Sequence, residues 1–110
     1  MKKRSINEIE SVLIRIKEHL TRIYGNRIKR VVVYGSFAKG EADEESDVDI
    51  AVVVADKLSP NKVEKNLDEL LFQILMEKRE LVTVFVIPES KFNTYKSPLI
   101  LNIKEEGVLI

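Results

Sequence analysis

Two aspartates separated by one residue are the side chains whose type and spacing point most directly to chemistry. Asp47 and Asp49 stand at the start of an apolar run that ends at Val54. Side chains of a strand alternate between its faces, so both carboxylates would project from one face, with Cα atoms about 6.6 Å apart. They could bind one divalent cation or bridge the two cations, about 3.5–4 Å apart, of a phosphoryl-transfer site. A carboxylate pair beside a buried strand is costly without compensation, which favours a metal site.

A glycine–serine turn precedes the aspartates. Gly35 and Ser36 directly follow the apolar run 31–34, which is typical of a strand covered on both faces. Glycine permits a tight turn and close approach of a ligand. Backbone N–H groups of a short helical turn over 37–40, together with the Ser36 hydroxyl, would form an anion site. The dipeptide is common in turns, so its significance comes from lying after a strand and shortly before the aspartates.

Three other motifs are excluded. Gly35 and Gly40 have the spacing of a P-loop, but Glu41 and Ala42 stand where Lys and Ser or Thr are required. The three spaced glycines of a Rossmann fingerprint are not present. An EF-hand loop starting at Asp43 would need Gly and Glu where valines stand.

Composition limits the class of protein. The 110 residues favour one domain over 1–110. The 18 Lys and Arg balance the 18 Asp and Glu, which argues against a nucleic-acid binder. There is no cysteine, and neither a signal peptide nor a membrane span is recognised, so a cytoplasmic protein is expected. The only histidine, His19, is assigned no chemistry.

Periodicity and turn residues predict alternating helices and strands. Ser5 and Glu8 have the spacing of a capping box, and Ser59 and Ser97 precede prolines at the starts of helices. The predicted elements are a helix over 6–24, strands over 31–34 and 47–54, a helix over 60–78, a strand over 81–87, a helix over 99–106 and a short edge strand over 108–110. This order predicts an α/β protein with a small mixed β-sheet and helices packed on it.

The chain resembles a known family from Val31 onward. Gly35-Ser36, ten further residues and then Asp47-Val48-Asp49 resemble the nucleotidyltransferase signature of the DNA polymerase beta superfamily. The longer string G-S-F-A-K-G-E-A-D-E-E-S-D-V-D-I-A-V-V-V and the closing string S-P-L-I-L-N-I-K-E-E-G-V-L-I resemble minimal nucleotidyltransferases, which are often antitoxins encoded with a HEPN-domain partner.

The resemblance implies a polymerase beta-like nucleotidyltransferase fold and a role for each matching residue. Gly35 and Ser36 would hold the triphosphate of ATP, and Asp47 and Asp49 would bind Mg²⁺ or Mn²⁺. The implied reaction transfers AMP from ATP to a hydroxyl of the partner protein, with loss of pyrophosphate. A HEPN-type partner is expected, while a homo-oligomer stays open; membrane and nucleic-acid partners are not expected.

One position departs from the family pattern. Active members usually carry a third carboxylate on the strand after the long helix, and the only polar residue of that strand here is Thr83. Glu80, just before the strand, is the one candidate to replace it. Two functions therefore stand: a working nucleotidyltransferase, or an antitoxin that binds nucleotide with weak or no catalysis and acts by complex formation.

Overall fold

A four-stranded mixed sheet forms the centre of the protein in a computed structural model that describes residues 2–110. Its strands are β1 (Ile28–Tyr34), β2 (Val48–Val54), β3 (Val82–Pro88) and β4 (Val108–Leu109), in the spatial order β3-β2-β1-β4. β1 is antiparallel to β2 and β4, whereas β2 and β3 are parallel. The predicted α/β class and mixed sheet are confirmed.

In the described residues 2–110, five α-helices accompany the sheet. They are α1 (Glu10–Tyr24), α2 (Ser36–Lys39), α3 (Pro60–Lys78), α4 (Glu89–Thr94) and α5 (Pro98–Glu106). A 3-10 turn over Ile6–Ile9 precedes α1, so the first predicted helix is divided in two. Pro60 and Pro98 open α3 and α5 because the first helical position needs no backbone N–H donor.

The helices cover both faces of the sheet. Side chains of α1 and α3 form the larger core against one face, together with Val33, Ile50 and Val52. Residues of α4 and α5 cover the other face over Val32 and Ala51. Central strand β2 contacts both cores, and burial on both sides explains its unbroken apolar run. Within residues 2–110, no helix is long and apolar enough to cross a membrane.

Several local predictions about helices were wrong. The Ser5 side chain makes no capping bond, since the Glu8 N–H donates to the Ser5 carbonyl oxygen at 3.1 Å and the Glu8 carboxylate pairs with Arg4. Ile23, an apolar residue near the end of the predicted helix 6–24, is 42% exposed. Ser59 occupies its predicted position without a side-chain cap, whereas the Ser97 hydroxyl accepts from the Ile100 N–H at 3.2 Å.

Candidate active site

Asp49 lies at the centre of a row of polar side chains that crosses three strands. It is the second residue of β2, and its Cα pairs with that of Tyr34 on β1 and that of Thr83 on β3. Asp47 lies one residue before β2, so the prediction that this strand starts at Asp47 was one residue too early. Asp47 is exposed and Asp49 is half-buried. The two candidate ligands thus lie at the edge of the core, open to solvent.

Gly35 holds the backbone of the turn against the Asp49 carboxylate. Its φ of +74° and ψ of −152° define a conformation that is essentially restricted to glycine. A Cβ atom at this position would overlap Asp49 Oδ2 and lie 3.2 Å from Asp49 Cγ. The glycine is therefore required twice, for the backbone conformation and for the space that the carboxylate occupies.

Ser36 starts α2 directly after this turn. The helix has only four residues, and buried Phe37 anchors it in the larger core. The first N–H groups of a helix lack partners within the helix, so the turn and the start of α2 present donors beside Asp49. The structure places Gly35 against Asp49, with Ser36 next to Gly35 in the chain, and Asp47 lies two residues before Asp49.

Thr83 contacts the central carboxylate directly. Its hydroxyl donates to Asp49 Oδ1 at 2.6 Å, and the side chain is exposed on β3. Asp49 Oδ1 therefore faces β3, whereas Oδ2 faces the Gly35 turn. The two oxygens of one carboxylate are directed to opposite sides of the site.

Comparison with known proteins identifies the family. Residues 13–110 match the family model described as a nucleotidyltransferase domain. The chain belongs to the nucleotidyltransferase domain family.

The matches include curated relatives from archaea. A Methanocaldococcus jannaschii protein, named "Putative protein adenylyltransferase", is 29% identical over 101 residues, which are 92% of this chain and 97% of the relative. The protein adenylyltransferase MntA of Thermococcus cleftensis is 44% identical over 48 residues, covering 44% of this chain and 46% of the relative. Both matches agree with the family assignment.

A solved structure shows the same fold. One chain in the crystal structure of a toxin–antitoxin with AMP-PNP matches with a TM-score of 0.57 and 20% identity. The match covers 86% of this chain and 69% of that chain. The predicted nucleotidyltransferase fold is thereby confirmed.

Tyr34 is a neighbour of the candidate site that the sequence did not single out as functional. It ends β1 and is half-buried beside Asp49. Burial raises the pKa of the phenol above its usual value of 10.0, and the Asp49 charge adds to the effect. The phenol therefore stays neutral at physiological pH. Its position could have been found only from the strand register, which no local pattern specifies.

Glu80 does not stand free to replace the missing third carboxylate of the nucleotidyltransferase signature. Glu80 is buried, with only 8% of its surface exposed. Both oxygens of its carboxylate accept hydrogen bonds from the Arg4 guanidinium. The hydrogen bonds that Arg4 donates to Glu80 raise the pKa of Arg4, against the opposing effect of burial. The Arg4 guanidinium also lies 5.3 Å from the centre of the Phe37 ring. These contacts give Glu80 a structural role.

The donor set of this nucleotidyltransferase domain suits a hard cation that is completed by a ligand. Across residues 2–110, no three or more His, Cys, Asp or Glu side chains cluster closely enough to hold a metal. Asp47 and Asp49 supply carboxylate oxygens, which Mg²⁺ prefers, and substrate phosphates commonly complete its shell. Asp49 beside the Gly35 turn and the exposed Asp47 two residues before it fit such a shared site.

Proposed function

We propose that this chain, as a single nucleotidyltransferase domain, transfers AMP from ATP to a hydroxyl of a partner protein within a toxin–antitoxin pair. The observation that carries the proposal is the Asp49 carboxylate held between the Gly35 turn and β3. The named activity of the archaeal relatives supports protein adenylylation. The toxin–antitoxin complex with AMP-PNP, which shares the fold, supports a partner protein and a nucleotide ligand.

Each residue of the site has a role in this reaction. Gly35 lets the backbone approach the phosphates, and Ser36 offers its hydroxyl and N–H to them. Asp47 and Asp49 would hold Mg²⁺, with Mn²⁺ as the alternative. That ion would neutralise the charge that develops around the α-phosphate during transfer. The leaving pyrophosphate would remain beside the Gly35 turn.

The acceptor hydroxyl would enter from the side of β3. Thr83 is exposed there, and the Gly35 turn, the proposed phosphate site, lies on the opposite side of Asp49. An in-line displacement requires the attacking and leaving oxygens on opposite sides of the phosphorus. A HEPN-domain protein is the proposed partner, and a homo-oligomer is compatible with the same site.

A second function is supported by Thr83 itself. A hydroxyl supplies no negative charge for a second cation and does not accept the acceptor's proton as a carboxylate would. The alternative is therefore an antitoxin that binds nucleotide, transfers it weakly or not at all, and acts by complex formation. The transfer rate of the parent itself separates the two functions, since the alternative predicts weak transfer or none even with the partner present.

Nucleotide binding provides the first experiment. Asp47→Asn and Asp49→Asn should each weaken the binding of Mg²⁺–ATP in calorimetry, because each removes a charged ligand. Asp68→Asn is the matched control, since Asp68 is exposed on α3 and carries the same charge. If both site variants bound Mg²⁺–ATP as tightly as the parent, the site would be misplaced.

A further inference from the structure

Residues with hydroxyl groups lie on both sides of Asp49 in the strand order, two on the side of β1 and one on the side of β3. Tyr34 and Ser36 belong to β1 and to the start of α2, beside the turn proposed for the phosphates. Thr83 belongs to β3, the neighbour of β2 on the other side. Adjacent strands lie about 4.8 Å apart, so the row from β1 to β3 spans about 10 Å, enough to place a phosphorus atom between the two sides.

Thr83 has the attributes of an acceptor hydroxyl. It is a secondary alcohol, it is exposed, and it already donates its proton to Asp49 Oδ1 at 2.6 Å. It also lies on the side of Asp49 opposite the Gly35 turn, which is the side from which in-line attack would come. The hydroxyl is thus already in contact with Asp49, the candidate metal ligand, without movement of any helix or strand.

We propose that Thr83 is an intramolecular acceptor and that the chain adenylylates itself at this residue. The inference rests on the proposed function and adds a modification site to it. Thr83 Oγ1 forms a bond to the α-phosphorus of ATP, and the bond from that phosphorus to the bridging oxygen breaks. Pyrophosphate leaves with the electron pair. The hydroxyl proton is released to water as the new bond forms.

Modification would close the site to further turnover. In the product, Thr83 Oγ1 is bonded to phosphorus and has no proton to donate, so its hydrogen bond to Asp49 Oδ1 is lost. The attached adenylate would also occupy the acceptor side of the carboxylate. The unmodified chain is then the active form. Self-modification would stop transfer to the partner because the adenylate on Thr83 blocks the place of the acceptor hydroxyl.

Mass spectrometry of the intact protein tests the proposal. After incubation with Mg²⁺–ATP, the parent should gain the mass of one adenylate, and peptide mapping should locate it on Thr83. Thr83→Ser keeps a hydroxyl and should still be labelled. Thr83→Val has nearly the same shape without the hydroxyl and should lose the label. Tyr34→Phe is the control for the β1 side and should be labelled like the parent.

The outcomes separate this inference from the proposed function. A parent that adenylylates its partner but carries no adduct overturns self-modification alone, as does an adduct mapped to Tyr34 or Ser36. A parent that fails to bind Mg²⁺–ATP in calorimetry overturns the proposed function. Thr83→Val should unfold on heating in one cooperative transition, as the parent does, which shows that a lost label is not caused by a lost fold. Peptide mapping of the parent decides the question even for an unstable Thr83→Val.

Discussion

Gly35→Ala should damage nucleotide binding through a contact that is visible in the structure. The new methyl group would overlap Asp49 Oδ2, and the carboxylate must move to make room. Losing one charge-assisted contact of this kind costs about 1.5–3 kcal/mol. That range corresponds to a Kd for Mg²⁺–ATP that is about 10- to 150-fold weaker.

The same change should also lower stability through the backbone. A residue with a side chain at φ +74° and ψ −152° is strained by about 1–3 kcal/mol. At about 4–8 °C per kcal/mol, a loss of about 2 kcal/mol lowers the Tm by about 8–16 °C. Thermal unfolding measures this loss, and calorimetry well below the Tm measures binding to the folded protein.

Gly25→Ala is the matched control for the backbone strain. Gly25 has φ +57° and ψ −133°, and no atom lies within 4 Å of the position that its Cβ would take. The control should lose stability to a similar degree and retain the parent's affinity for Mg²⁺–ATP. Unchanged affinity in Gly35→Ala, or an equal loss in Gly25→Ala, would refute the reasoning about Asp49.

Three further changes test neighbours of the site. Thr83→Asp should raise the rate of transfer to the partner by about 10²–10⁴-fold, the usual contribution of general-base assistance. Initial rates measured with labelled ATP test this, and an unchanged rate would show that position 83 is not the place of the missing carboxylate. Glu80→Gln should cost about 1–3 kcal/mol in urea unfolding, because Arg4 loses its charged partner, yet leave the transfer rate of folded protein unaltered; abolished transfer would place Glu80 in the catalytic site. Since the folded-state pKa of Tyr34 is raised, its contribution to stability is complete below about pH 10 and is lost as pH rises through that pKa. The parent should therefore lose stability relative to Tyr34→Phe as the pH rises above about 10 in denaturant titrations, and a constant difference would contradict the shift.

The strands and the central motif could be predicted because their signals are local. The apolar run 50–54 and the glycine–serine turn after 31–34 each specify their own structure. α4 was missed because it has six residues and buries only Phe92, too few for a periodic pattern. Its existence depends on the second face of the sheet, which needs a cover over Ala51 and Val53.

The contacts that define the site are long-range and had no local signal. Asp49 and Thr83 meet because β2 and β3 pair in parallel across 34 residues, and the register of that pairing is set by the fold. Arg4 and Glu80 meet across 76 residues, so the pairing that removes Glu80 from consideration as a third carboxylate could not be read from the chain. Composition and spacing indicate which residues could act, and tertiary packing decides which of them meet.

The most direct test of the central claim is transfer of the α-phosphate to a partner protein. The chain is incubated with Mg²⁺, the product of the neighbouring gene and ATP labelled at its α-phosphate. The account predicts a labelled partner with the parent and with Asp68→Asn, and no labelled partner with Asp49→Asn. Labelling by Asp49→Asn at the parent's rate would contradict it, because the carboxylate held between the Gly35 turn and Thr83 would then have no part in the transfer.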